Sequence, residues 1–387
     1  MNGVRSQESE ESEEESMEEG RKMRVVVVGC GIAGAAAGYE LARSGVDVVL
    51  VDSRNPGRAT SAGAGIICPW SSGVEDEDWY RMALAGTEFY EELRAALAAD
   101  GESEFGYRRT GSLLLVDEAE STEALARVAE RAEKSPLAGE VELVSARRAR
   151  EMFPPLAHDG PAIHIPGGAR LDGRSVREAM CRAAQRHGAR FVEGTATILA
   201  DGAVRGVRVD DVFFGADAVV VAAGAWAPRL LEPLGVHVRV APQRGQIMHL
   251  RLPGVDTVNW PVVLPRSKHY LLAFDDSRVV VGATREDDTG FDHRITAAGV
   301  AEVLSEALSV APGLADATHV ETRIGFRPVG PDVKPLLGEV PQVPGLVVVN
   351  GLGASGLMIG PYVGTVAARL ARGADAGIDL TPYDPLR

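Results

Sequence analysis

The chain has 387 residues, of which 45% are hydrophobic and 25% are charged, and its formal net charge is −15. This length suggests roughly two to three domains, and the composition excludes a wholly disordered, collagen-like or coiled-coil chain. The negative charge disfavours nucleic-acid and membrane-surface binding, because both of those partners are themselves anionic.

The first 22 residues predict a disordered acidic tail, because they contain eight Glu and four Ser and no apolar core of a signal peptide. Met23 stands directly before the first apolar run, so a start at Met1 and a start at Met23 both remain open. The chain has no run of about 18 apolar residues, which argues against an integral membrane segment. The expected location is cytoplasmic.

A strand, a turn, a helix and a second strand open the body of the chain. Residues 24–29 read RVVVVG, a β-branched run typical of a strand that is buried on both faces of a parallel sheet. A helix is predicted over residues 31–44 and a strand over residues 46–51. This order within about 30 residues is typical of a doubly wound fold.

The turn of this unit carries a dinucleotide-binding motif. Gly29, Gly31 and Gly34 form a GxGxxG pattern, and Asp52 ends the next strand. The glycines allow a tight turn, the approach of a pyrophosphate and close helix packing, while Asp52 can accept hydrogen bonds from a ribose. The motif alone fits NAD and FAD equally, because both contain an ADP half.

The later elements alternate between two kinds of sheet. Helices and buried strands are predicted in turn over residues 76–100, 122–133, 174–188, 190–193, 216–223 and 346–350. Residues 270–274 and 278–283 predict an antiparallel hairpin. We therefore predict an α/β fold with an α+β second domain, in which a Rossmann-like domain (residues 23–72, 144–240 and 325–387) is interleaved with an antiparallel-sheet substrate domain (residues 73–143 and 241–324).

Together with the glycine motif, four further segments resemble the FAD-dependent D-amino-acid oxidase superfamily, in particular its glycine oxidase and D-amino-acid dehydrogenase branch. The segments are RATSAGAGIICP (58–69), VVAAGAW (220–226), GFRPVGPDVKPLLG (325–338) and GLGASGLMIGP (351–361). The resemblance covers residues 23–370. It implies an enzyme that binds FAD rather than NAD.

The resemblance also implies which residues bind FAD. For the ADP half they are Gly29, Gly31, Gly34 and Asp52; along the ribityl chain and ring, Thr60, Ser61, Ala64, Gly65 and Ile66; near the ring, Ala223, Gly224 and Trp226; in the last loop, Gly353, Ala354, Ser355, Gly356 and Leu357; and as further contacts, Ile32, Ala33, Ser53, Arg54, Thr197, Gly325 and Arg327. Glycine-rich backbone offers N–H groups where negative charge develops on the reduced ring.

Two residues are implied to act on the substrate. Arg327 stands where relatives place the guanidinium that binds the substrate carboxylate, and a planar fork of donors suits that group. Tyr270 aligns with the tyrosine that assists this arginine. The alternatives are a surface ion pair for Arg327 and an ordinary core position for Tyr270.

The sequence departs from its sarcosine oxidase relatives at two positions. Gly325 stands where those enzymes carry a cysteine bonded to flavin, so noncovalent FAD is expected. Val280 stands where they carry a lysine for oxygen activation, so the electron acceptor stays open. The oligomeric state stays open as well.

The resemblance predicts oxidation of the C–N bond of a small amino acid (a D-amino acid, glycine or an N-substituted glycine) by hydride transfer to flavin, giving an imine and then a 2-oxo acid. One alternative is a flavin domain in tRNA wobble-base modification, which the acidic body disfavours. Another is an NAD-dependent dehydrogenase, which would leave GFRP and GLGASG without a role. The eight histidines lack metal-binding spacing and the three cysteines lack a CxxC pair, so no metal site is predicted.

Overall fold

The computed structural model describes residues 22–387, so nearly all of the predicted acidic tail lies outside the described residues. In chain order, the strands are β1 (Arg24–Val28), β2 (Asp47–Asp52), β3 (Ile66–Ile67), β4 (Arg108–Arg109), β5 (Ser112–Leu115), β6 (Glu142–Val144), β7 (Ala162–Ile165), β8 (Ala169–Arg170), β9 (Arg190–Glu193), β10 (Ala196–Asp201), β11 (Ala203–Val209), β12 (Val212–Gly215), β13 (Ala218–Val221), β14 (Ala241–Arg251), β15 (Val262–Leu264), β16 (Tyr270–Ala273), β17 (Arg278–Gly282), β18 (Thr318–Val329), β19 (Leu336–Glu339) and β20 (Leu346–Asn350). The α-helices are α1 (Ile32–Arg43), α2 (Ala59–Ala62), α3 (Glu77–Ala99), α4 (Ser121–Ala132), α5 (Ala146–Met152), α6 (Gly173–Arg186), α7 (Ala227–Leu231), α8 (Ala297–Val310) and α9 (Gly356–Ala371).

A six-stranded sheet in the order β19-β20-β13-β1-β2-β9 carries the nucleotide-binding motif. Its strands are parallel except for the antiparallel pair of β19 and β20. Val25 and Val27 of β1 belong to the apolar core on one face, and Val26 and Val28 belong to the core on the other face. The prediction of a strand buried on both faces is therefore confirmed.

Helices cover one face of this sheet and a small meander covers the other. Side chains of α1, α3, α6 and α9 share one core with the sheet, while β10 to β12 contribute to the opposite core. Helices α1 and α9 approach closely, because a Cβ at Gly364 would lie only 2.2 Å from the carbonyl oxygen of Ala33. The glycine thus allows the amino ends of both helices to reach the same edge of the sheet.

The second large sheet has eight strands in the order β18-β14-β17-β16-β15-β5-β7-β6. Its pairs are antiparallel except for β15 and β5. The predicted hairpin is confirmed, since Tyr270 pairs with Gly282 and Ala273 with Val279. One face of the sheet packs on α8.

Two segments, β7 and α3, pack with a different domain from the one to which the sequence assigned them. Strand β7 lies inside the range predicted for the FAD-binding domain, yet it pairs with β5 and β6 in the eight-stranded sheet. Helix α3 lies inside the range predicted for the substrate domain, yet Tyr90, Leu93 and Leu97 belong to the core of the six-stranded sheet. Both differences arise because pairing and burial join segments that are far apart in sequence.

Candidate active site

A cavity of about 600 Å³ lies where β1, β2, β13 and β20 end and where β14, β16 and β18 of the other sheet face them. β13 and β2 flank β1 on opposite sides, so this edge is a switch point of the sheet, where ligands commonly bind. The predicted residues that line the cavity are Gly29, Gly31, Ile32, Ala33, Asp52, Ser53, Thr60, Ala64, Gly65, Ile66, Ala223, Gly224, Trp226, Tyr270, Gly325, Arg327, Gly353, Ala354, Gly356 and Leu357.

Five predicted cofactor residues lie outside this lining. Gly34 acts in packing, because a Cβ there would lie 1.8 Å from the carbonyl oxygen of Gly29. Arg54 pairs with Glu193, with its Nε 2.9 Å from Oε2. The others are Ser61, whose carbonyl accepts from Arg174, Thr197 on β10, and Ser355, whose hydroxyl accepts from the Trp79 indole.

The amino end of α1 forms one pole of the cavity. No side chain caps the helix at Gly31, and the Ile32 amide donates to the Thr60 hydroxyl at 2.9 Å. Uncapped N–H groups and the helix dipole make such an end a site for phosphate. The glycine-rich turn therefore fits the pyrophosphate of a dinucleotide.

Asp52 is the acidic group of this pole and is only 5% exposed. Its carboxylate accepts from the backbone amides of Cys30 at 2.8 Å and Arg54 at 2.7 Å, and Arg58 Nη1 lies 3.2 Å away. A carboxylate has about four lone-pair positions. Three of these positions are used, so Asp52 retains one to accept from a hydroxyl of an adenosine ribose.

The amino end of α9 forms the opposite pole. Gly353 and Gly224 have φ values of +50° and +54°, and a Cβ at either would meet no atom within 4 Å, so open space lies beside both. Asn350 ties the two loops together, because its Nδ2 donates to the Gly224 carbonyl at 2.9 Å and its Oδ1 accepts from the Gly351 amide at 2.8 Å. The uncapped end of α9 provides positive potential, which fits a group that gains negative charge, such as the ring of a reduced flavin.

Arg327 lies in the cavity wall on β18. Its Nη1 donates to Gln243 Oε1 at 3.2 Å and to the Thr284 carbonyl at 3.0 Å. Among residues 22–387, no carboxylate lies within 4.0 Å of its guanidinium. A Cβ at Gly245 would stand 2.6 Å from Nη2, so the glycine makes room for the side chain. Burial lowers the pKa of Arg327, but a guanidinium remains a cation.

Tyr270, at the start of the hairpin, lies beside Arg327. Its hydroxyl interacts with that guanidinium, and burial raises the pKa of Tyr270, so the hydroxyl stays protonated at neutral pH. A Cβ at Gly282 would stand 3.1 Å from this hydroxyl. The fold thus brings together two residues that are far apart in sequence.

Other cavity residues were not singled out from the sequence. They are Cys30, Asn55, Arg58, Ala59, Ala62, Gly63, Gly194, Thr195, Ala196, Ala225, Arg229, Leu230, Gly245, Arg285, Phe326, Pro328, Val349, Asn350 and Leu352, together with Val28, Val51 and Ala222 at the strand ends. Arg58 begins one glycine-rich segment and Asn350 directly precedes another, and this position is the signal that could have identified them.

Among residues 22–387, no group of three or more His, Cys, Asp and Glu side chains could hold a metal ion, and no helix is long and apolar enough to span a membrane.

Two uncapped helix ends, the buried Asp52 carboxylate and a cavity between the two large sheets are features that fit an FAD-binding oxidoreductase. The chain belongs to the FAD dependent oxidoreductase (DAO) family, whose model matches residues 24–370. This result decides between FAD and NAD, which the glycine motif left open.

The chain is similar to several curated proteins over nearly its whole length. It is 46% identical over 363 residues to the uncharacterized oxidoreductase YurR of Bacillus subtilis (strain 168), covering 93% of this chain and 98% of that protein. It is 30% identical over 370 residues to glycine oxidase of Geobacillus kaustophilus (strain HTA426), covering 94% of this chain and 96% of that protein.

Solved structures show the same fold. The crystal structure of iminodiacetate oxidase (IdaA) from Chelativorans sp. BNC1 matches with a TM-score of 0.91 and 49% identity, over 94% of this chain and 99% of that chain. Glycine oxidase from Geobacillus kaustophilus matches with a TM-score of 0.83 and 29% identity, over 95% of this chain and 99% of that chain. The predicted fold class is confirmed by these matches.

Proposed function

We propose that this FAD-dependent oxidoreductase oxidises the C–N bond of a small amino acid, which is a D-amino acid, glycine or an N-substituted glycine. The observation that carries the proposal is Arg327, a cation in the cavity wall whose protein partners are an amide oxygen and a carbonyl rather than a carboxylate. The 49% identity to iminodiacetate oxidase favours N-substituted glycines among these substrates.

The residues of this chain act mainly by binding and orientation. Arg327 binds the substrate carboxylate with its planar fork of donors, and the Tyr270 hydroxyl donates a further hydrogen bond to the same group. Held at this end, the amino acid presents its Cα–H and amine toward the centre of the cavity. FAD, when bound, supplies the two-electron acceptor for the oxidation.

The cavity offers no obvious general base near Arg327. Among the described residues that line it, none is a histidine or a glutamate, and the one aspartate, Asp52, lies at the opposite pole. The Tyr270 hydroxyl near Arg327 is kept protonated by burial, which raises its pKa, so the proposed mechanism takes the substrate as the neutral amine and relies on orientation. The uncapped N–H groups at the end of α9 would face the cofactor and would provide positive potential for negative charge on it.

Product analysis tests the proposal. The purified holoenzyme is incubated with glycine, sarcosine, iminodiacetate, L-proline or D-alanine, in air and with an added quinone acceptor, and the 2-oxo acid is trapped as a hydrazone. We expect 2-oxo acid from at least one amino acid in amounts that match its consumption. No product from any of them with either acceptor would contradict the proposal.

Replacing Tyr270 with phenylalanine is expected to raise KM by about 5- to 30-fold with a smaller effect on kcat, because it removes one hydrogen bond worth about 1–2 kcal/mol to a carboxylate that is bound equally in the ground and transition states. Steady-state kinetics with the best substrate measure the change. A fall in kcat with unchanged KM would assign the hydroxyl a role in the chemical step instead.

We expect FAD to be bound noncovalently. Gly325 carries no thiol, and a Cβ there would stand 2.8 Å from the Ala62 Cβ. Cys68 packs in a separate core, and Cys30 lies at the pole of the cavity that fits the pyrophosphate. Acid precipitation is therefore expected to release FAD into the supernatant. Flavin that stays with the pellet would contradict this.

A further inference from the structure

Two cysteines that are 151 residues apart in sequence meet beside the nucleotide-binding turn. The Sγ atoms of Cys30 and Cys181 lie 3.1 Å apart. Cys30 occupies the second position of the GxGxxG turn before α1, and Cys181 lies on α6. A disulfide has an S–S distance of about 2.05 Å, so the two sulfur atoms need to approach by only about 1 Å to form one.

The elements that carry the two cysteines pack directly against each other. Cys30 is 1% exposed and belongs to the core that α1 and α6 share, and Cys181 packs against the same core. The backbone of Cys30 is also held at both of its polar groups. Its amide donates to the Asp52 carboxylate at 2.8 Å, and its carbonyl accepts from Arg177 Nε at 2.7 Å. The short distance between the sulfur atoms is therefore set by the packing of α6 against the turn.

The surroundings of the two thiols give them different acidities. The hydrogen bond with Cys30 and the charge of Arg177 lower the pKa of Cys181. Burial and the carboxylates of Asp52 and Glu178 act in the opposite direction but are outweighed. The hydrogen bond with Cys181 and burial raise the pKa of Cys30. Because the thiolate is the nucleophilic form of cysteine, Cys181 is the thiol of the pair that an oxidant meets as a nucleophile.

Cys181 is also the more accessible of the two thiols. It is partly exposed, whereas Cys30 is buried. Cys181 does not line the cavity between the two large sheets, so a small oxidant can reach it while that cavity is occupied by FAD. A thiol of lowered pKa that is accessible and adjoins a second thiol has the features of a redox-sensitive cysteine.

We propose that Cys30 and Cys181 form a site of oxidative modification, which hydrogen peroxide converts to a disulfide between the nucleotide-binding turn and α6. The Cys181 thiolate attacks one oxygen of the peroxide and the O–O bond breaks, which gives a sulfenic acid and, after proton uptake, water. The Cys30 sulfur then attacks the sulfenic sulfur, the S–O bond breaks, and the oxygen leaves with the thiol proton as a second water. Two thiols thus lose two electrons, and the peroxide becomes two waters. The inference does not rest on the proposed function, because no amino acid takes part.

Thiol counting on the peroxide-treated holoenzyme tests this. The chain has three cysteines, all of them free. After treatment and removal of excess peroxide, the protein is denatured and its thiols are titrated. We expect the count to fall from three to one and to return to three with dithiothreitol. Tryptic digestion without reductant should yield residues 25–43 linked to residues 178–182, with a mass two hydrogens below the sum of the two peptides.

Serine variants separate the roles of the three cysteines. Cys181→Ser should keep both of its remaining thiols, because the attacking thiolate is gone. Cys30→Ser should retain a sulfenic acid on Cys181, which dimedone traps on residues 178–182, because the second thiol is gone. The matched control is Cys68→Ser, which removes a buried cysteine from a separate core and should still give the linked peptides.

Three results would overturn the inference. The first is a thiol count that stays at three in the peroxide-treated wild type. The second is a fall in the count without the linked peptides, which would show oxidation of cysteines that do not join. The third is a loss of thiols in Cys181→Ser as fast as in Cys68→Ser, which would show that Cys181 is not the attacking group.

Discussion

Replacing Arg327 with alanine is expected to lower kcat/KM by roughly two to four orders of magnitude. The substrate carboxylate leaves water when it enters the cavity, and a buried charge without its partner costs about 3–5 kcal/mol. At about 1.36 kcal/mol per factor of ten, that cost gives the stated loss. Steady-state kinetics with the best amino acid, on protein of known flavin content, measure it.

The variants around this position separate charge from geometry. Arg327→Lys should recover only part of the activity, because an ammonium cannot form two parallel hydrogen bonds. The FAD content of both Arg327 variants should stay close to that of the wild type. The matched control is Arg251→Gln, which removes an exposed arginine paired with Asp276 at the far end of β14 and should leave the kinetics unchanged. If Arg327→Ala oxidised its best substrate as fast as the wild type, the carboxylate would have to be bound elsewhere.

Replacing Asp52 with alanine is expected to raise the dissociation constant of FAD by roughly one to two orders of magnitude. Three donors already contact the carboxylate, so it can accept from one ribose hydroxyl, and a hydrogen bond to a charged group contributes about 1.5–3 kcal/mol. The same carboxylate also holds the amides of Cys30 and Arg54, so its loss loosens the turn. Fluorescence titration of apoprotein with FAD measures the change.

Asp47→Asn is the matched control for this change. Asp47 lies at the other end of β2, where it pairs with Arg24 and Arg190. Its substitution should leave FAD affinity unchanged. Equal FAD affinity in Asp52→Ala and the wild type would exclude Asp52 as the ribose acceptor.

The sequence predicted those parts of the fold whose signals are local. An unbroken β-branched run specifies a strand buried on both faces, and Val25 to Val28 do point alternately into the two cores. The hairpin was predictable because alternating segments flank a short polar turn. The boundary of the predicted division near residue 144 was less predictable, since β7 joins its sheet through pairing with β5, which no local pattern encodes.

The residues of the candidate site were likewise predictable where their signals are local and were missed where they depend on the fold. Most lining residues found in advance lie in glycine-rich segments, whose backbone requirements are visible in the sequence, while Asp52, Ser53 and Tyr270 lie outside them. Arg54 lies close to such a segment and Ser355 lies within one, but their side chains contact Glu193 and Trp79 and do not line the cavity. Arg285 was missed because it follows β17 by three residues and has no sequence pattern that distinguishes it from an ordinary surface arginine, whereas the fold places it in the lining of the cavity.

Anaerobic reduction of the bound flavin tests the central claim most directly. The purified holoenzyme is mixed without oxygen with glycine, sarcosine, iminodiacetate, L-proline or D-alanine, and in parallel with methylamine, dimethylamine and ethylamine, which lack the carboxylate. We predict that at least one amino acid bleaches the flavin absorbance and that none of the three simple amines does so at the same concentration. Bleaching by a simple amine as fast as by its amino acid, or no bleaching by any amino acid, would contradict the account.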